Sequence, residues 1–214
     1  MTDADFDTAL IAAFFRLAGD HGWRRASVAA AAQEAGLSLA QAREHFPSRA
    51  AVLLRFGRLA DQTALAGVTT EGSVRDKLFD LLMSRFEAMQ PHRTGIQALM
   101  RALPFDPPAA LLLSCATKRS MRWMLQAAGV EAAGLRGEVE VRGVLAVWLW
   151  VMRTWDKDDS TDLSATMAAL DTALARAEQA AGWLGGRREP VAAEDVSAVE
   201  EIDVAPDLSD EPGA

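Results

Sequence analysis

Apolar residues return along this chain at three- and four-residue intervals, and no segment shows the two-residue alternation of a half-buried strand. Phe6, Leu10, Phe14 and Leu17 give a first helix one apolar face, which the spacing predicts to end near Gly19 and Gly22. Ser27 is placed to cap a short second helix, Val28 to Ala35, stopped by Gly36. Ser38 caps a third, Leu39 to Phe46, closed by Pro47, and Ser48 opens a fourth with Val52, Phe56 and Leu59 facing inward. Beyond Gly67 the predicted helices lengthen: 73–90, begun by a capping pattern of Ser73 with Asp76, then about 93–103, 108–128 behind Pro107 and Pro108, 136–155 and 162–184. After Gly185 and Gly186 the periodicity stops. The remaining C-terminal residues are rich in acidic side chains, with three prolines and scattered single valines. That composition is expected to stay disordered, because it offers too little apolar surface to offset chain entropy.

The expected organisation is therefore all-α: a helix-turn-helix domain over 1–60, a helical ligand-binding and dimerisation bundle over 61–185, and a disordered acidic tail over 186–214. Charge sharpens that division. The overall formal charge is −8, yet the tail alone has nine acidic side chains against Arg187 and Arg188, a net −7. The segment from Arg16 to Arg58 has seven arginines against Asp20, Glu34 and Glu44, a net +4. A basic module on a near-neutral body suits phosphate binding, although an ordinary solvated surface has the same look. Asp3, Asp5 and Asp7 stand where a signal peptide would carry positive charge, and the longest apolar run, Val144 to Met152, is too short to span a membrane. A single cysteine, Cys115, excludes an internal disulfide framework, and a cytoplasmic location is expected.

Two short helices joined by a glycine turn and braced by a preceding helix form a DNA-reading unit. Its small residues, Ala29 to Ala32 and Ala35, allow close crossing. With His21-Gly22-Trp23, Ala35-Gly36-Leu37-Ser38 and His45-Phe46-Pro47-Ser48-Arg49, the stretch over about 8–56 resembles the TetR family of transcriptional repressors. The resemblance implies operator DNA as a partner, a C2 homodimer through the last two helices, and an apolar small-molecule effector in the bundle. The third helix departs from the family pattern: where lysine, glycine, threonine and tyrosine are common, this chain has Leu39, Ala40, Gln41 and Arg43. Gln41 and Arg43 still carry groups that match adenine and guanine edges, and Ser27, Ser38 and Arg49 are placed for phosphate. Glu44 would repel phosphate.

The C-terminal half is similar to a second family. Arg142-Gly143-Val144-Leu145-Ala146, Met152, the run from Asp156 to Asp162, Thr166 and Leu170-Asp171 resemble the lipid-binding accessory proteins of ubiquinone biosynthesis, with weaker likeness at Val74-Arg75, Leu103-Pro104 and Ala128-Gly129. Those proteins have a TetR-type fold, hold lipid and do not bind DNA. Leu135-Arg136-Gly137-Glu138-Val139 does not reproduce their acidic and aromatic segment, and an acidic tail replaces their membrane-seeking helix.

Under either resemblance the bundle holds an apolar effector or lipid. Met83, Met89, Met100, Met121, Met124 and Met152 supply adaptable walls for it, and Trp123, Trp148, Trp150 and Trp155 supply flat ones. Core packing accounts for any one of these residues equally well. No catalytic constellation stands out and no cofactor or metal is expected. His21, His45 and His92 lack Cys or carboxylate partners at ligand spacing, Cys115 lacks an activating neighbour, and Asp156, Asp158 and Ser160 read as helix caps rather than a calcium loop. The chain reads as a regulator, not an enzyme.

Overall fold

The computed structural model describes residues 2–68 and 71–184, with side chains described to residue 180. The tail expected over 186–214 lies outside the described residues. Among the described residues nine α-helices form: α1 Asp3–His21, α2 Val28–Glu34, α3 Leu39–His45, α4 Arg49–Ala66, α5 Val74–Met89, α6 Arg93–Ala102, α7 Pro107–Ala127, α8 Gly134–Trp155 and α9 Ser164–Leu184. The same residues contain no strand.

The capping chemistry sets most helix starts. Ser27, Ser38, Ser48 and Ser73 each accept a hydrogen bond from the backbone three residues on, and Ser73 with Asp76 closes a full capping box. Thr2 and Asp5 form a second box that opens α1. Asp106 caps α7, so Pro107 and Pro108 occupy its first turn, where a missing N–H costs nothing. One feature differs from the pattern-based expectation. Single 3-10 turns, Gln90–His92 and Leu103–Phe105, bracket α6, each carrying the proline that bars another α turn. α1 runs through Gly19 to His21, and Gly22, at φ +86°, ends it where the spacing predicts.

α1 packs against α2 and α6, α4 against α5 and α7, α8 against α7 and α9, and α5 against α9. The core is continuous from Phe6, Phe14 and Trp23 at one end to Phe86, Trp148 and Trp155 at the other. Residue 60, the expected domain limit, falls within α4. That unbroken helix carries Arg55, which pairs with Asp7 of α1, and further along it Asp61, which pairs with Arg85 of α5. At the α8–α9 corner, Asp158 takes up the exposed start of α9. Its Oδ2 accepts from Thr166 N (2.7 Å) and Thr166 Oγ1 (2.6 Å), and its Oδ1 accepts from Ser160 N and Oγ. Arg93 donates to the carbonyls of Asp156 and Asp158 and lies over the Trp155 ring, tying α6 to that corner.

Candidate nucleic-acid interface

α2 and α3 form the expected helix-turn-helix, with Gly36 at φ +65° making the turn that a side chain would strain. Ala31, Ala32 and Ala42 are buried at the crossing, where their single methyl groups let the two backbones approach. The opposite side of α3 presents Leu39, Ala40, Gln41, Arg43 and Glu44 to solvent. Gln41, Ser38 and Ser27 are exposed, and both serine hydroxyls already accept a backbone N–H while keeping their own proton to donate.

The two arginines are not free. Arg43 turns back and donates from Nη1 to the Pro47 carbonyl at 2.9 Å, closing the end of its own helix. Arg49 donates to the Trp23 carbonyl at 3.3 Å and lies over the Trp23 ring. Both residues remain exposed, so either guanidinium can exchange its carbonyl for a phosphate or base.

One group missed by spacing alone fixes how α3 sits. Asp7 of α1 is buried; its Oδ1 pairs with His45 Nδ1 at 2.9 Å, and its Oδ2 accepts from Arg55 Nε of α4 at 2.7 Å. The end of α3 is thus clamped between α1 and α4, beside a surface depression also lined by Phe46, Leu54 and Arg58. The hydrogen bond to Asp7 raises the His45 pKa above the ordinary histidine value, with the negative charges of Asp7, Asp3 and Glu44 adding to it. The signal is legible in the sequence: Asp7 falls on the same stripe as Leu10 and Phe14, where a charge needs a partner.

The residues expected to line a ligand site are dispersed. Met121, Met124, Trp148 and Trp155 are buried in the core, and Met100 and Met152 are partly buried against it. Trp123 is 58% exposed on the outer side of α7, whose buried positions are Ser120, Met121, Met124 and Leu125. Trp148 stacks on Phe86 with ring centroids 4.3 Å apart, and Trp155 donates from Nε1 to Gln90. Against this apolar pair lies a charge. Arg85 of α5 has its guanidinium 5.0 Å from the Trp148 ring centroid and its Nη1 against Asp61 Oδ1 of α4, while Ser120 of α7 donates to Asp61 Oδ2 at 2.6 Å. Burial lowers the Arg85 pKa to about 10, which still leaves it charged at neutral pH.

No family model matches the sequence, and no curated protein does. Solved structures do. A TetR transcriptional regulator from Nitrosomonas europaea is similar with a TM-score of 0.65 at 18% identity, over 82% of this chain and 99% of that one. A TetR-family transcriptional regulator from Streptomyces coelicolor is similar with a TM-score of 0.61 at 17% identity, over 86% of this chain and 85% of that one. A TetR transcriptional regulator from a Rhodococcus species gives 0.56 at 15%, over 82% and 97%. These likenesses establish the fold: the chain has the helical fold of those regulators, with its helix-turn-helix at the N-terminal end. Among the described residues, no helix is long and apolar enough to cross a membrane.

Proposed function

We propose that this protein is a DNA-binding transcriptional regulator whose bundle, residues 61–185, holds an apolar small molecule and whose residues 1–60 read an operator. The observation that carries the reading is the exposed outer face of α3, held rigidly by the alanine crossing with α2 and by the Asp7 clamp. The fold shared with the three TetR-type regulators supports it. Gln41 and Arg43 would read base edges, and Ser27, Ser38 and Arg49 would hold phosphate. Repression is relieved if the effector favours a separation of the two reading units that no longer fits the operator, which requires unequal effector affinity for the two states.

Fluorescence anisotropy against DNA from the protein's own upstream region, at two salt concentrations, tests this. Sequence-dependent binding that weakens steeply with salt is expected. Replacing Gln41 and Arg43 together with alanine should cost roughly 1–3 kcal/mol per lost base contact. Operator binding no better than binding to random DNA would remove the reading.

A second reading, a lipid-binding accessory protein of ubiquinone biosynthesis, draws on the composition of α3. Leu39 and Ala40 are apolar and exposed, and Arg43 is engaged with Pro47. That reading expects isoprenoid or phospholipid to leave the purified protein on denaturation, detectable by mass spectrometry.

A further inference from the structure

We propose that His45 holds a DNA backbone phosphate through Nε2, that Asp7 lets it do so only as the imidazolium, and that DNA binding therefore takes up a proton. The inference rests on the regulator reading and adds a regulation of the same surface. His45 closes α3 one turn beyond Gln41, so the two side chains stand on the same side of the helix. Gln41 is exposed, as is Ser38 at the start of the helix, and the His45 side chain keeps 23% of its surface open. The ring therefore stands beside the groups proposed to contact base and phosphate.

The contact with Asp7 decides what the other ring nitrogen can do. Nδ1 lies 2.9 Å from Asp7 Oδ1, and Arg55 Nε donates to Oδ2 of the same carboxylate. A carboxylate accepts hydrogen bonds and cannot donate one, so Nδ1 keeps its hydrogen in both charge states of the ring. The neutral ring is then the Nδ1–H tautomer with a bare lone pair at Nε2, and only the imidazolium carries a hydrogen there. Among the described residues Nε2 has no hydrogen-bond partner, and it is not a buried atom. A DNA phosphate also only accepts. It is turned away by the lone pair and bound by the N–H.

The charges around the ring favour the same order. Asp3 and Asp7 of α1 and Glu44 of α3 act on it, and Arg55 and Arg58 of α4 line the depression it shares with Asp7. Three acids against two arginines leave this corner one negative charge in excess until the imidazolium forms. An approaching phosphate adds a further negative charge and so strengthens the hold on that proton. Phe6 and Phe46 pack near the ring, with centroids 5.2 and 6.4 Å away, and the Asp7 bond fixes its rotation.

The test titrates the full chain calorimetrically with two duplexes, one from its own upstream region and one of random sequence, at low salt. Repeating each titration in buffers of different ionisation enthalpy counts the protons taken up. Uptake should approach one per bound chain once the free protein has lost the His45 proton. Affinity should fall by up to about ten-fold per pH unit as pH rises through the folded His45 value, which the Asp7 hydrogen bond raises above the ordinary one. His45→Gln puts a neutral N–H donor in place of Nε2 at every pH, so its binding should show neither the uptake nor the fall. Asp7→Asn, once circular dichroism shows it folded, should begin its fall at lower pH. In the free wild type, long-range proton–nitrogen NMR above the His45 midpoint should show the Nδ1–H tautomer. Tight upstream-duplex binding without proton uptake, or an Nε2–H tautomer, would overturn this inference and leave the regulator reading standing. Equal affinity for the two duplexes, with uptake lost in His45→Gln, would support the contact and end the operator reading. Absence of binding to either duplex would overturn both.

Discussion

Two histidines sit in opposite environments, and their titrations should separate. His45 is held near Asp7, whose hydrogen bond raises its pKa, whereas His92 lies between the rings of Phe15 and Phe56, where burial lowers its pKa. For His45 the folded value exceeds the unfolded one of about 6.5, so its contribution to stability is complete below that pH and is lost as pH rises through the folded value. For His92 the order is reversed: stability is lost as pH falls from about 6.5 through its folded value, because the unfolded chain takes up the proton first. Following both imidazole C–H resonances by NMR should place the midpoints on opposite sides of 6.5; a shared midpoint would mean that Asp7 does not clamp α3. Asp158 works at lower pH. Burial, the largest single influence, pushes its carboxyl up, but the hydrogen bonds from Ser160 and Thr166 together outweigh it and hold the pKa at about 2. Its contribution, on the order of 2 kcal/mol, should be complete above about pH 4 and disappear as pH falls through its folded value. Asp158→Asn should therefore be less stable than wild type in urea unfolding at pH 7 and equal to it near pH 2. A difference that persists in acid would argue against the carboxylate as the source.

The contact between α1 and α6 is the closest helix approach that depends on missing side chains. A Cβ on Gly95 would lie 2.2 Å from the Phe15 carbonyl oxygen, and one on Gly19 would lie 2.7 Å from Thr94 Oγ1. The first obstacle is backbone, which cannot swing aside. Gly95→Ala should therefore separate the helices and cost about 3 kcal/mol or more, while Gly57→Ala, where a Cβ meets nothing within 4 Å, should be neutral or slightly stabilising. Equal midpoints for the two variants in a thermal melt would show that α1 and α6 can part freely. These glycines also mark where sequence reading succeeds and where it stops. Capping serines are local chemistry, so Ser27, Ser38, Ser48 and Ser73 are readable, as is Gly36 at its turn. The packing role of Gly19 is not readable, because its partner, Thr94, is seventy-five positions away. The candidate site divides along the same line. The exposed residues of α3 follow from one helix and its neighbour, whereas the orientation of Arg43 and Arg49 depends on the carbonyls of Pro47 and Trp23. The exposure of Trp123 is not readable from spacing, which gives relative angle around a helix but not which face the neighbouring helices cover. Arg85 does leave a trace, a cation at a core position of an apolar stripe, but only the fold brings Asp61 and Ser120 to it.

At the scale of the whole molecule, α8 is the helix whose outer surface asks for a partner. Leu135, Val139, Leu149 and Trp150 are exposed and share one helical face with Ala146, an apolar surface interrupted by the exposed Arg142 and Arg153. Beside it α9 exposes Ala165, Ala168 and Thr172, small enough for another helix to come close. An isologous four-helix contact of these two helices with those of a second copy would cover this surface, and its two-fold axis would set the spacing of two α3 helices against a palindromic site. We expect the wild-type chain to run as a dimer in light scattering, at about twice its 23.0 kDa. Trp150→Glu places a charge in the middle of that contact and should give a monomer, whereas Trp123→Glu, on α7, should stay dimeric. The consequence for DNA binding comes by linkage: a monomer must bring each reading unit to its half-site separately, so the Trp150→Glu protein should lose operator affinity steeply while its α3 surface is unaltered. If wild type is monomeric at micromolar concentration, the α8 surface serves some other partner and paired operator reading is excluded. If Trp150→Glu is monomeric yet binds operator DNA as tightly as wild type, the two-fold contact is real but does not position α3.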